Sequence, residues 1–173
     1  RELECLRTPA DDEPEGTGDA RAPFKLDQLL ATPDERRPVL AEVKINDDED
    51  AVYALVQVLA AAAYLSSPAQ RHCIRLHYGS WLDLPGAGPY FDLRVVLFRD
   101  RGHPLKGARI DCLQRATSLA ATLVHRPEVA AVVREIVFVE SWLEDGRLRF
   151  APAGTTPTLG DPLQRRRPRE LTA

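Results

Sequence analysis

Three residues in the first third of the chain, Asp27, Glu42 and Lys44, have types and spacing that could do chemistry. Side chains alternate across a strand. In the segment PVLAEVKI, residues 38–45, Val39, Ala41, Val43 and Ile45 share one face, while Leu40, Glu42 and Lys44 share the other. In residues 24–31, Lys25, Asp27 and Leu29 lie opposite Phe24, Leu26 and Leu30. A hairpin closing symmetrically around Asp34 and Glu35 sets Asp27 directly across from Glu42, with both apolar faces on one side of the sheet. Directly opposed Cβ atoms lie ~5 Å apart, which lets two carboxylates share one divalent cation at Mg–O distances of ~2.1 Å. Carboxylates this close repel, so either one holds a proton or a cation sits between them. A metal there stabilises charge on a phosphate and lowers the pKa of a bound water. Lys44, on the same face, orients that water or balances developing negative charge. Together these groups suit phosphodiester hydrolysis. The alternative is a solvated strand face with ordinary cross-strand charge pairing. On the first reading, Glu42 and Lys44 face a site while their neighbours are buried.

The elements that must position these residues follow from pattern and punctuation. Residues 2–7 could form a short strand, and residues 8–23, rich in Pro, Gly and acids, read as a flexible loop. Strands over 24–31 and 38–45 flank the turn TPDERR. A helix is expected next: Asn46 can cap it and Glu49 stands three residues on, as in a capping box. Its body, residues 49–66, is apolar nearly all round, which predicts a buried helix. RHCIRLHY and YFDLRVVLFRD then alternate as strands, followed by a helix over 108–125 and a hairpin from REIVFVESWL to RLRFAP. The fold class expected is α/β, a central mixed sheet flanked by helices, with an additional C-terminal helix and hairpin. One domain is expected over residues 1–154, with a disordered tail over 155–173.

Asp27, then EVK at Glu42 to Lys44 on the next strand, then a helix carrying Gln57, resembles the PD-(D/E)XK nuclease superfamily over residues 1–78. The resemblance implies a restriction-endonuclease-like core that runs helix, three strands, helix, strand. It implies Mg2+, or Mn2+ in its place, held by Asp27 and Glu42. It also implies Lys44 as the catalytic cation and Gln57 as a residue that orients substrate or its neighbours. Gln57 and Tyr64 are similar to the glutamine and tyrosine of RecB-type members, although the residue four after Gln57 is Ala61. The literal PD pair, Pro33 and Asp34, falls in the turn. The partner implied is nucleic acid, DNA ahead of RNA. The rival expectation keeps the fold without turnover, as a scaffold or interaction module of a larger protein. A third is a domain for subunit contacts such as a homodimer, with the apolar helix partly at the interface.

Composition narrows the classes. At 173 residues with 44% apolar and 28% charged content, the chain suits one soluble domain. No apolar run reaches the ~20 residues of a membrane helix, and no signal peptide opens it. Without methionine and starting at Arg1, it reads as a piece of a longer protein. Cys5, Cys73 and Cys112 show no metal or disulfide spacing, which favours a reducing, cytoplasmic setting. A net charge of −3 disfavours a general nucleic-acid coating protein. Because only Lys25, Lys44 and Lys106 are lysines, a lysine at position 44 carries more information than usual.

Other signals have plainer readings. His72 and His77 would point to opposite faces of a strand and share no metal. DDED suits helix capping rather than Ca2+, and Asp92 with Arg94 suits a surface ion pair. RRRPR reads as a solvated tail ahead of a phosphate contact. Trp81 reads as a cap on the core edge ahead of a base-stacking residue.

Overall fold

The computed structural model describes residues 26–45, 50–99, 107–144 and 147–153. The expected strand over 2–7, the loop over 8–23, the capping pair Asn46 and Glu49, and the tail lie outside the described residues. A five-stranded sheet runs in chain order: β1 (Gln28–Ala31), β2 (Pro38–Ile45), β3 (Phe91–Arg99), β4 (Val133–Glu144) and β5 (Arg147–Pro152). The outer pairs are antiparallel, while β2–β3 and β3–β4 are parallel. Parallel neighbours need long crossovers. Helices α1 (Ala51–Leu65) and α2 (Pro68–Tyr78) supply the first, and α3 (Gly107–Leu123) with the short α4 (Pro127–Ala130) supplies the second. The α/β class with a mixed sheet is as expected.

The β1–β2 register pairs Gln28 with Ala41 and Ala31 with Pro38, the symmetry expected around Asp34 and Glu35. Thr32 closes the turn: its N–H donates to Arg37 O at 3.0 Å, and its hydroxyl accepts from Arg37 N at 3.0 Å. Arg36 takes a left-handed conformation, φ 53°. Its guanidinium reaches the carbonyls of Gly79 and Trp81, tying the turn to the loop after α2. Trp81 packs edge-on against Tyr78 at 5.9 Å and is 39% exposed.

One face of the sheet carries the core. Rows Leu40–Leu93–Ile136, Glu42–Val95–Phe138 and Lys44–Leu97–Glu140 cross β2, β3 and β4 on that face. Against it lie α1, through Ala54, Leu55, Val58, Ala61 and Ala62, and α3, through Leu113, Ala116 and Ala120.

Three expectations are corrected. RHCIRLHY is helical, not a strand. Ser67 caps it through Gln70 N and Pro68 occupies its first turn, so the SP pair that reads as a stop is a start signal. Ile74 and Leu76 would share one face of a strand. On α2 they diverge, Ile74 buried and Leu76 70% exposed. Helix α1 begins with Asp50 as its cap, accepting from Tyr53 N at 2.9 Å, rather than with Asn46. It is also not buried all round, because Tyr53, Val56 and Ala63 face solvent. Asp92 and Arg94 do not pair with each other. Asp92 is 0% exposed and bonds Arg134 through two bonds of 2.8 and 2.6 Å, while Arg94 pairs with Glu135. A β-bulge makes this possible: Val133 opposes Phe91 and Glu135 opposes Asp92, leaving Arg134 as the extra residue.

No single helix among the described residues is long and apolar enough to cross a membrane.

Arg134 also bonds Glu35 at 2.7 Å, and the hydrogen bond from Arg37, with the charge of Arg134 behind it, holds the Glu35 carboxyl below the usual glutamate range. That contribution to stability is therefore present above the ordinary value and lost as pH falls through the depressed one. The larger dependence is on Asp92, which is fully buried and whose two carboxylate oxygens both accept from Arg134. Arg134→Ala is expected to destabilise the fold by about 3 kcal/mol in urea unfolding at neutral pH. Adding Asp92→Asn should recover part of that loss, because a neutral amide is cheaper to leave buried.

Candidate functional site

The face that carries Glu42 and Lys44 is the one α1 covers, so neither side chain is solvated. Glu42 is 3% and Lys44 5% exposed, less than their neighbours Val43 and Ile45. The solvated-strand alternative is thereby overturned. The picture of a site face opposed to a single apolar face also changes: the pair sits within the core face, beside Leu40, Val95 and Leu97.

An ammonium in such a place needs partners on every side. Lys44 Nζ donates to Glu42 Oε1 at 3.0 Å and to Gln57 Oε1 at 2.8 Å, and it lies 5.3 Å from the ring centroid of Tyr53. Gln57 and Tyr53 stand four residues apart on α1 and so share one helix face. Asp50 fixes the turn that carries Tyr53, and Cys112 of α3 donates to the same Asp50 carboxylate at 3.5 Å.

Asp27 stands just before β1. Continuing the register one step places it opposite Glu42, and its Oδ2 accepts the Val43 N–H at 2.8 Å. The structure therefore brings together all four residues expected from sequence: Asp27, Glu42, Lys44 and Gln57. Tyr64 is not among them. It lies two turns farther along α1, where its hydroxyl accepts from Gln70 Nε2 at 3.0 Å.

Two residues were missed. Tyr53 could have been found from its i, i+4 relation to Gln57. Glu140, buried on β4 and separated from Lys44 by Leu97, could have been found from the alternation in IVFVE, which puts it on the Phe138 face. His72 and His77, both exposed on α2, take no part.

Burial pushes the Glu42 carboxyl above the usual glutamate range. The Lys44 hydrogen bond opposes that shift, and the Asp27 charge adds to it. Glu42 Oε2 is buried and has no hydrogen-bond partner among the described residues. The neighbouring Asp27 and Glu42 carboxylates, one of whose oxygens is buried without a donor among the described residues, form a donor set that a small hard cation would complete. Among the described residues no three His, Cys, Asp or Glu side chains converge. Asp27 and Glu42 would be the protein's two ligands, a number that suits Mg2+ or Mn2+ better than a caged ion.

Removing the ammonium tests this electrostatic account. Lys44→Met in the presence of chelator should cost about 2–3 kcal/mol at pH 7, since it strands the Glu42 charge. A carboxyl whose folded pKa is raised carries no penalty below the ordinary value of 4.5. The penalty grows as pH rises from the ordinary value toward the raised one and is complete above it. The loss measured by urea unfolding should therefore shrink between pH 7 and pH 5. No family model, curated protein or solved structure matches the chain.

Proposed function

We propose that this domain is a divalent-metal-dependent nuclease of the PD-(D/E)XK type, with a restriction-endonuclease-like core, that hydrolyses phosphodiester bonds of nucleic acid, DNA ahead of RNA. The observation that carries the reading is the buried, unpartnered Glu42 Oε2 beside Asp27 and Lys44. The order of elements supports it: Asp27 on the approach to one strand, Glu42 and Lys44 on the next, Gln57 on the following helix, then a parallel strand.

On this reading Asp27 and Glu42 hold Mg2+ or Mn2+, and the chemistry such an ion supplies is Lewis acidity toward a phosphate oxygen. Lys44 keeps a fixed positive charge where negative charge develops on the phosphate. Gln57 is a positioning residue: its carbonyl oxygen holds the Lys44 ammonium from the helix side while Glu42 holds it from the strand. The pair arrives pre-oriented, so little reorganisation is needed when substrate binds.

A second reading is favoured by one observation. The solvent side of α1 is apolar at Tyr53, Val56 and Ala63, as a scaffold or subunit contact would require.

Thermal unfolding with added Mg2+ or Mn2+, run beside cleavage of labelled single- and double-stranded DNA and RNA, separates the two. The nuclease reading expects stabilisation of about 1.4 kcal/mol at a metal concentration ten times Kd. Asp27→Asn and Glu42→Gln should abolish that stabilisation and lower cleavage by more than about 100-fold, since loss of even an outer partner of a metal costs 10–100-fold. Asp27→Asn should leave the metal-free stability unchanged or higher, because the amide oxygen can still accept from Val43 N while the repulsion on Glu42 disappears. A wild type that neither shifts with metal nor cuts, but sediments faster with rising concentration, would sink the nuclease reading and support the scaffold.

A further inference from the structure

Right-handed crossovers that step the same way across a parallel sheet set their helices on one side of it. The order β2–β3–β4 takes both steps in one direction, and α1 and α3 pack on each other as well as on the sheet. The opposite face therefore receives no crossover helix, although parallel strands are usually covered on both faces. The strand register shows what that face carries. Val43, Val96 and Val139 form one row across β2, β3 and β4. Ile45, Phe98 and Phe150 stand in the next row, about 7 Å farther along the strands. Leu143 pairs with Leu148 beyond them. Ile45 is 56% and Phe150 60% exposed, and both leucines are exposed as well. Toward the strand starts the same face turns ionic, with the half-buried Arg94 paired to Glu135. An exposed apolar patch with a polar rim marks an interaction surface.

The shape of the patch, its size and the rest of the chain select its partner. Neighbouring rows differ in bulk, valine in one, isoleucine and phenylalanine in the next. A two-fold axis running between them, along the rows, lays the bulky row of one copy on the valine row of the other. Ile45 of one copy then meets Val43 of the second, and Phe98 meets Val96. Large side chains on small ones interdigitate, as in two sheets packed about 10 Å apart. The contact is isologous, so both halves form together. Strands β2 to β5, ~4.8 Å apart and about eight residues long, present ~500 Å2, the small end of specific interfaces. The chain's own outer segments are poorly suited to cover it. Before Leu26 the large aliphatic or aromatic residues are Leu3, Leu6 and Phe24, and after Ala153 they are Leu159, Leu163 and Leu171. We infer that this sheet face is the contact surface of a reversible homodimer, a different surface from the solvent side of α1.

The test is sedimentation velocity of the whole chain from about 1 μM to 1 mM, the range in which weak complexes form. The variants are Ile45→Glu and Phe150→Glu on the sheet face, and Val56→Glu on α1, where Val56 is 53% exposed. Thermal unfolding of each variant checks that it folds. The wild type should pass from monomer to dimer with rising concentration. Each sheet-face variant should raise the dimer Kd by about 30-fold or more, the loss expected of one hot-spot side chain, while Val56→Glu should leave it near wild type. A wild type that stays monomeric throughout would overturn the inference and give the face to another segment or partner. A dimer that survives Ile45→Glu and Phe150→Glu, or is lost with Val56→Glu alone, would overturn it too. The inference stands apart from the nuclease reading: a dimer that cuts satisfies both, and cleavage by a monomer sinks only the dimer.

Discussion

The arrangement depends on one ammonium kept out of water. Lys44 is a strand residue under a helix, where a charge is stable only with several partners in place. Those partners come from separate elements: Glu42 from its own strand, and Gln57 and Tyr53 from α1. Satisfying Lys44 therefore fixes how far along β2 the helix sits and which of its faces turns inward. The alanines of α1 serve the same constraint. Ala54, Ala61 and Ala62 let the helix lie close to the sheet, close enough for Gln57 to reach the ammonium at 2.8 Å.

Two buried carboxylates in this fold differ in how fully their oxygens are satisfied. Asp92 has both oxygens taken by the Arg134 guanidinium, a fork that matches a carboxylate and leaves nothing to satisfy. Glu42 has one oxygen on Lys44 and one with no partner, and it has a second carboxylate beside it. A fold gains nothing in stability from that incompleteness, since a buried acceptor without a donor is costly. The first carboxylate is fully satisfied among the described residues and the second is not. It is this contrast, more than the presence of acids, that singles out Glu42.

Much of this was legible in the sequence because it rests on period and symmetry. The alternation of PVLAEVKI placed Glu42 and Lys44 on one face, and the symmetry of the turn placed Asp27 across from Glu42. Alternation cannot say which face a helix will cover, however, and here the charged face is the covered one. Alternation also misled in RHCIRLHY, where Ile74 and Leu76 suit a strand by pattern but the Ser67 cap and Pro68 commit the segment to a helix. The partner of Asp92 was out of reach for a different reason. Arg134 meets it through a bulge between strands 42 residues apart, and nothing local marks that extra residue. Tyr53 escapes a motif that runs forward from Gln57 toward Tyr64 because it lies one helical turn back.

The end of a strand ladder also explains why the site lies where it does. The β1–β2 pairing begins at Gln28 and Ala41. One step beyond, the Val43 N–H is met by the Asp27 side chain at 2.8 Å. Asp27 thus has two tasks. It satisfies a backbone donor that the ladder leaves over, and in doing so it holds its own carboxylate against the residue that follows Glu42. A paired backbone at this position would have satisfied Val43 as well, but it would have left the Asp27 side chain free to swing into solvent. Ending the ladder one residue early turns a requirement of the sheet into the restraint that keeps two like charges together.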